Sequence, residues 1–176
     1  AGSYTVTVTD NNGCFAEETS SVNNSQNIQI TPTINDVSCF GMNDGSISLS
    51  ITAGDPPYNY EWSTGSSSSQ INGLTSGSYS VTVSDASGCE TTDNFTISEP
   101  SQIDISLLNK TNPNCGSNNG SIEIMATGGS NTFTSYNWNS GHSGSLIQNL
   151  FAGAYTVTVT DDNSCSATAS VLIDEP

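Results

Sequence analysis

Three stretches of the chain nearly superimpose: Ala1-Gly2-Ser3-Tyr4-Thr5-Val6-Thr7-Val8-Thr9-Asp10, Ser76-Gly77-Ser78-Tyr79-Ser80-Val81-Thr82-Val83-Ser84-Asp85 and Ala152-Gly153-Ala154-Tyr155-Thr156-Val157-Thr158-Val159-Thr160-Asp161. Within each, tyrosine and two valines alternate with serine or threonine. A period of two with one apolar set describes a strand buried on one face. Valine and threonine favour the pleated surface because both are β-branched. Gly77 lies 75 residues after Gly2, and Gly153 lies 76 after Gly77.

Other landmarks keep the same step. Cys14, Cys89 and Cys165 follow the three stretches at one offset. Cys39 precedes Trp62 by 23 residues, as Cys115 precedes Trp138, and Trp62 precedes Leu74 by 12, as Trp138 precedes Leu150. Glu99-Pro100 and Glu175-Pro176 close successive units. The chain therefore divides into the C-terminal fragment of a repeat (1–25) and two complete repeats (26–100 and 101–176), each with its own core pattern.

Each repeat reads as all-β. Alternation recurs at Ile47/Leu49/Ile51, Tyr58/Tyr60/Trp62 and Phe95/Ile97, and again at Ile122/Ile124, Tyr136/Trp138 and Val171/Ile173. Turn signals separate these runs: Asn43-Asp44-Gly45, Gly54-Asp55-Pro56-Pro57, Asn119-Gly120 and Gly128-Gly129. No window has helical periodicity. Five to seven short strands per repeat imply a two-sheet sandwich. Leu74-x-x-Gly77-x-Tyr79 and Leu150-x-x-Gly153-x-Tyr155 look like tyrosine corners, in which the phenol bonds backbone a few residues upstream. The expected fold is thus a tandem of immunoglobulin-like β-sandwiches, with Trp62 and Trp138 in their cores and Tyr79 and Tyr155 at their corners. The fragment 1–25 holds one clear strand and part of another.

Cys39 to Cys89 and Cys115 to Cys165 are both 50 residues apart. This equality predicts one disulfide within each repeat, Cys39–Cys89 and Cys115–Cys165, closing one end of the sandwich and leaving Cys14 for a partner outside the fragment. Disulfides imply an oxidising, extracellular setting. A zinc site is disfavoured, because there is no Cys-x-x-Cys pair and only one histidine.

Composition excludes several functions. Seventeen acidic residues face a single lysine, Lys110, and no arginine, for a net charge of −16. One lysine cannot neutralise a run of phosphates, so nucleic acid is not a partner. Anionic membrane surfaces repel the chain, and no apolar run is long enough to insert. Catalysis has little to draw on. His142 stands in a loop whose counterpart in the previous repeat is serine, and no carboxylate pair is marked out, so the chain is read as non-enzymatic. Asp10, Asp85 and Asp161 share one repeat position and are candidates for binding calcium as a cofactor. The reading preferred is an Asx-turn, each carboxylate accepting backbone N–H groups before the cysteine. Asn-x-Ser/Thr triplets at Asn23, Asn94, Asn109 and Asn119 say little in a chain so rich in these residues.

The assembled pattern resembles the SprB repeat family: Cys39-Phe40-Gly41, Asp44-Gly45-Ser46-Ile47, Pro57-Tyr58-Asn59-Tyr60-Glu61-Trp62-Ser63-Thr64-Gly65, Gly73-Leu74 through Cys89, and Glu99-Pro100. The last repeat departs from it where Thr132-Phe133-Thr134 replaces the proline-tyrosine run and Asn149 replaces the glycine before Leu150. The resemblance implies a segment of a very large surface adhesin of gliding Bacteroidetes, exported by type IX secretion. Its partners would be neighbouring repeats of the same chain and, beyond them, a surface polysaccharide or another adhesion target. The alternative is a carbohydrate- or calcium-binding module of a secreted multidomain protein. Short, proline-containing junctions such as Glu99-Pro100-Ser101 predict limited bending between repeats.

Overall fold

The computed structural model describes residues 1–22 and 27–175. The boundary expected at 25/26, the triplet at Asn23 and the terminal Pro176 lie outside the described residues. The described chain is all-β, with fourteen strands and no helix.

The described residues form five sheets. β1 (Gly2–Thr9) and β2 (Phe15–Val22) form a hairpin. In the middle repeat, β3 (Gln29–Asn35), β4 (Gly45–Ala53) and β6 (Gln70–Leu74) form one sheet in the order β3-β4-β6. β5 (Asn59–Trp62), β7 (Gly77–Ser84) and β8 (Glu90–Ile97) form another, ordered β5-β7-β8. The last repeat repeats the plan. β9 (Ser101–Thr111), β10 (Gly120–Gly129) and β12 (Leu146–Leu150) pair in the order β12-β10-β9, and β11 (Phe133–Trp138), β13 (Gly153–Asp161) and β14 (Ser166–Ile173) in the order β11-β13-β14. In immunoglobulin lettering these are sheets A-B-E and C-F-G, lacking strand D. Both repeats are immunoglobulin-like sandwiches.

Backbone proximity divides the chain into two compact units. The first comprises Ala1–Thr33, Ser48–Gln70 and Tyr79–Phe95, and the second Ile34–Ile47, Ile71–Ser78 and Thr96–Pro176.

In the first unit the alternation read from sequence faces inward. Val81 and Val83 are 1% and 0% exposed, and Trp62 is 2% exposed. The Trp62 indole N–H donates to the Ser68 carbonyl at 2.8 Å, which satisfies its one polar atom, and its ring meets Phe95 at 6.2 Å between centroids. The hairpin β1–β2 makes an unbroken register from Gly2↔Val22 to Thr9↔Phe15, so the second strand is complete rather than partial. Val6 and Val8 stand where Val81 and Val83 stand, yet are 58% and 66% exposed. The same residues are core only where a second sheet covers them. A two-stranded hairpin is marginal in water. We therefore expect residues 4–9 to exchange amide protons far faster than residues 79–84; strong protection of 4–9 in the monomeric chain would contradict this.

In the second unit Ile122, Ile124, Trp138, Ile147, Leu150, Val157, Val159 and Ile173 form one buried cluster. The Trp138 indole N–H donates to the Gly144 carbonyl at 3.0 Å. The tyrosine corner is present, with the Tyr155 hydroxyl donating to the Phe151 carbonyl at 3.0 Å. Tyr79 and Tyr155 are half-buried, and Tyr155 braces the fold from its edge rather than from the core. Glycine in Asp44-Gly45-Ser46-Ile47 and Asn119-Gly120-Ser121-Ile122 has a steric reason. A Cβ at Gly45 would lie 2.9 Å from the Leu74 carbonyl oxygen, and one at Gly120 would lie 2.8 Å from that of Leu150. Asn149, the departure from pattern before Leu150, keeps the local shape. Its φ is 60°, against 70° at Gly73, and asparagine tolerates this left-handed region better than most residues.

Candidate functional site

The chemistry-bearing side chains gather in two kinds of element: the turn after β1, β7 and β13, and the loop that precedes β4 and β10.

The turn is built three times to one plan. Asp10 Oδ1 accepts the N–H groups of Asn12 at 2.8 Å and Cys14 at 3.0 Å. Asp85 Oδ1 accepts those of Ser87 at 2.9 Å and Cys89 at 3.0 Å, and Asp161 Oδ1 accepts that of Cys165 at 2.8 Å. In each turn the aspartate backbone N–H also donates to the cysteine carbonyl, at 2.9, 3.0 and 2.9 Å. The residue before each cysteine has positive φ: Gly13 at 83°, Gly88 at 80° and Ser164 at 68°. Glycine takes this conformation without penalty, whereas a serine there carries a cost.

The second carboxylate oxygen reaches across the sandwich end. Asp85 Oδ2 accepts the N–H of Asp55 at 3.2 Å, and Asp161 Oδ2 accepts that of Ser130 at 3.1 Å. The aspartates considered for calcium are thus occupied by backbone donors, and two of them, Asp85 and Asp161, are buried. Among the described residues no group of three or more His, Cys, Asp or Glu is placed to hold a metal ion. His142 sits in its loop with Nδ1 2.9 Å from the Ser140 hydroxyl.

The loop before β4 is braced at two points. The Asp44 carboxylate accepts both the N–H and the hydroxyl of Ser38, and Glu99 Oε2 accepts the N–H of Gly41 at 2.8 Å. The loop before β10 has matching braces. Asn119 Oδ1 accepts the N–H of Asn114 at 2.8 Å, and Glu175 Oε1 accepts that of Gly116 at 3.3 Å. The Glu-Pro landmark therefore holds the cysteine loop of its own repeat.

Donated hydrogen bonds stabilise the ionised carboxylates. The N–H of Asp55, with those of Cys89, Ser87 and Gly88, holds Asp85 below the ordinary aspartate value of 3.8. The Ser38 hydroxyl and N–H do the same for Asp44, and the Gly41 N–H and Ser76 side chain hold Glu99 below 4.5. With native values lowered, the unfolded chain binds more protons in acid. Their contribution is complete above the unfolded values and is lost as pH falls through the native ones. We expect the urea midpoint to fall as pH drops from about 5 to about 2, with Asp85→Asn flattening part of that slope. An acid limb identical in Asp85→Asn would contradict the role given to this turn.

The two elements meet at a disulfide. Cys39 in the loop before β4 is bonded to Cys165 in the turn after β13, with a Cα–Cα distance of 5.6 Å and a sequence separation of 126 residues. This overturns the expected pairs, since neither Cys39–Cys89 nor Cys115–Cys165 forms. The last repeat shows why. Cys115 precedes the first residue of β10, while Asp161, which accepts the N–H of Cys165, sits beside Ser130, just past its last residue. β10 has ten residues, so about 30 Å of strand separates the two cysteines. A disulfide needs Cα atoms within about 7 Å. Cysteines of one repeat lie at opposite ends of the sandwich, and the bond runs from one repeat to the next.

Beside the bond lies an open cavity of about 620 Å³, with Phe40, Met42, Ile103 and Ala167 among its lining residues. Phe40 and Met42 are about half exposed.

Residues 31–67 and 107–143 match the SprB repeat family. Both segments are SprB repeats. Each match takes in a cysteine loop, the glycine-serine-isoleucine run and the core tryptophan. No curated protein is similar to the chain in sequence. Among solved structures, the chain is similar to the N-terminal eight Ig domains of Down Syndrome Cell Adhesion Molecule isoform 1.30.30, with a TM-score of 0.47 and 12% identity over 99% of this chain and 28% of that one. It is also similar to DIP-gamma IG1+IG2, with a TM-score of 0.42 and 12% identity over 85% of this chain and 98% of that one. Among the described residues no helix is long and apolar enough to cross a membrane.

Proposed function

We propose that the chain is a non-catalytic segment of a repeat array in an adhesin at the cell surface, its SprB repeats serving as a spacer that carries an adhesive region away from the cell. The observation that carries this reading is the bond between Cys39 of one repeat and Cys165 of the next. A bond between consecutive repeats fixes one to the next, which suits a chain that bears load, whereas a binding module needs only its own sandwich held closed. Aspartates turned inward to backbone donors support the same reading over a calcium module. The net charge of −16 favours solubility and discourages association between copies. Gliding motility and type IX export are part of the proposal through the family likeness.

Antibody raised against the chain is expected to label intact cells of the source bacterium, to block their attachment and to travel along the surface of gliding cells. On a glycan array and in a calcium titration the isolated chain is expected to show no saturable binding. Saturable binding of a glycan or of calcium by the isolated chain would favour the binding-module reading instead, and absence of label on intact cells would exclude a surface array.

A further inference from the structure

We propose that Cys115 is the bonding site for the turn cysteine of a following SprB-type repeat, so that every junction in such an array carries its own disulfide. In the bond present, the loop cysteine of one repeat meets the turn cysteine of the next. Cys115 occupies the loop position one repeat on from Cys39, 76 residues later, and is exposed. Its loop is held as the Cys39 loop is held. The Asn119 and Glu175 side chains take N–H groups of Asn114 and Gly116, as Asp44 and Glu99 take those of Ser38 and Gly41. The turn cysteine of its own repeat lies at the far end of β10 and is already bonded to Cys39. The partner that fits is therefore a further repeat carrying the turn Asp-x-x-x-Cys, the element that presents Cys165 to Cys39. The same turn recurs at Asp10 and Cys14, with the same donors on the aspartate and an exposed cysteine.

The loops differ in one respect. Phe40 and Met42 border the existing bond, whereas Gly116, Ser117 and Asn118 follow Cys115 in a loop one residue shorter. A junction at Cys115 has less apolar side chain to cover and leans more on the covalent link.

Bond formation is a two-electron oxidation. Two thiols lose two protons and two electrons to a disulfide oxidant, which leaves as two thiols. With oxidised glutathione, one molecule is reduced to two of glutathione for each bond made.

The test is the full chain extended at its C-terminus by a second copy of residues 101–176, folded in a glutathione redox buffer, alkylated and mapped without reduction. The expected map contains Cys39–Cys165 and a bond from Cys115 to the Cys165 of the appended copy. Alkylation of Cys115, nearly complete in the 176-residue chain, should be lost, while the loop cysteine of the appended copy stays alkylated. A map with Cys39–Cys165 formed and Cys115 still alkylated would overturn the proposal and leave the first junction intact. A bond from Cys115 to the Cys165 of its own repeat would overturn both.

Discussion

Replacing Cys165 with serine is expected to lower stability by roughly 5 kcal/mol, whereas replacing Cys115 with serine is expected to change it by less than about 0.5 kcal/mol. The bond closes a loop of 126 residues, and the loss of loop-closure entropy from the unfolded chain grows with the logarithm of that length. Cys115 is exposed and makes no disulfide in this chain, so its loss removes nothing from the native state. The contrast between the two substitutions is the informative quantity. Disulfides within each repeat would make Cys115→Ser as damaging as Cys165→Ser. Urea unfolding of both variants under non-reducing conditions reads the difference. Adding reductant should bring the parent chain down to the level of Cys165→Ser and leave that variant unmoved. Equal losses in the two variants would contradict the bond between repeats.

Trp138→Ala is expected to cost about 3–5 kcal/mol and to unfold the second unit near physiological temperature. The ring is 5% exposed and packs within the cluster that includes Ile124, Ile147, Val157 and Val159. Truncation leaves a cavity that the two sheets cannot close, because their spacing is fixed by the other side chains between them. It also strips the Gly144 carbonyl of its indole donor. Trp138→Phe keeps most of the volume and loses the hydrogen bond, so a smaller loss is expected. Thermal unfolding of the three chains measures both. A Trp138→Ala chain as stable as the parent would contradict the core assignment.

The fold was legible because a period of two survives in the strands that form the sandwich interior. Val81, Val83, Val157 and Val159 alternate with hydroxyl residues and are among the most buried side chains of their sheets. The tyrosine corner and the Asx-turn were legible for a related reason: each is a local device whose partners lie within a few residues. β6 and β12 were harder to read. Their buried residues, Ile71/Leu74 and Ile147/Leu150, are three apart, because Gly73 and Asn149 kink the strand at positive φ. β2 was only half seen, since Phe15-Ala16-Glu17-Glu18-Thr19-Ser20-Ser21-Val22 has almost no apolar alternation and is placed by pairing with β1.

The cysteine pairing was not legible from spacing. In a repeating chain the interval of 50 residues recurs whichever copies pair, because the repeat sets it and not the bond. Equal intervals report repetition alone. What decides the pair is which end of the sandwich each cysteine occupies, and that depends on strand direction. The loop before β10 and the turn after β13 lie at opposite ends, a fact visible only once Asp161 is seen to bond Ser130.

Peptide mapping of the 176-residue chain, purified without reductant, is the most direct measurement of the bond between repeats. Proteolysis followed by mass spectrometry should yield a peptide containing Cys39 linked to one containing Cys165, with Cys115 recovered in alkylated form. Recovery of Cys39 linked to Cys89, together with Cys115 linked to Cys165, would show instead that each sandwich is stapled to itself and that neighbouring repeats are not covalently joined.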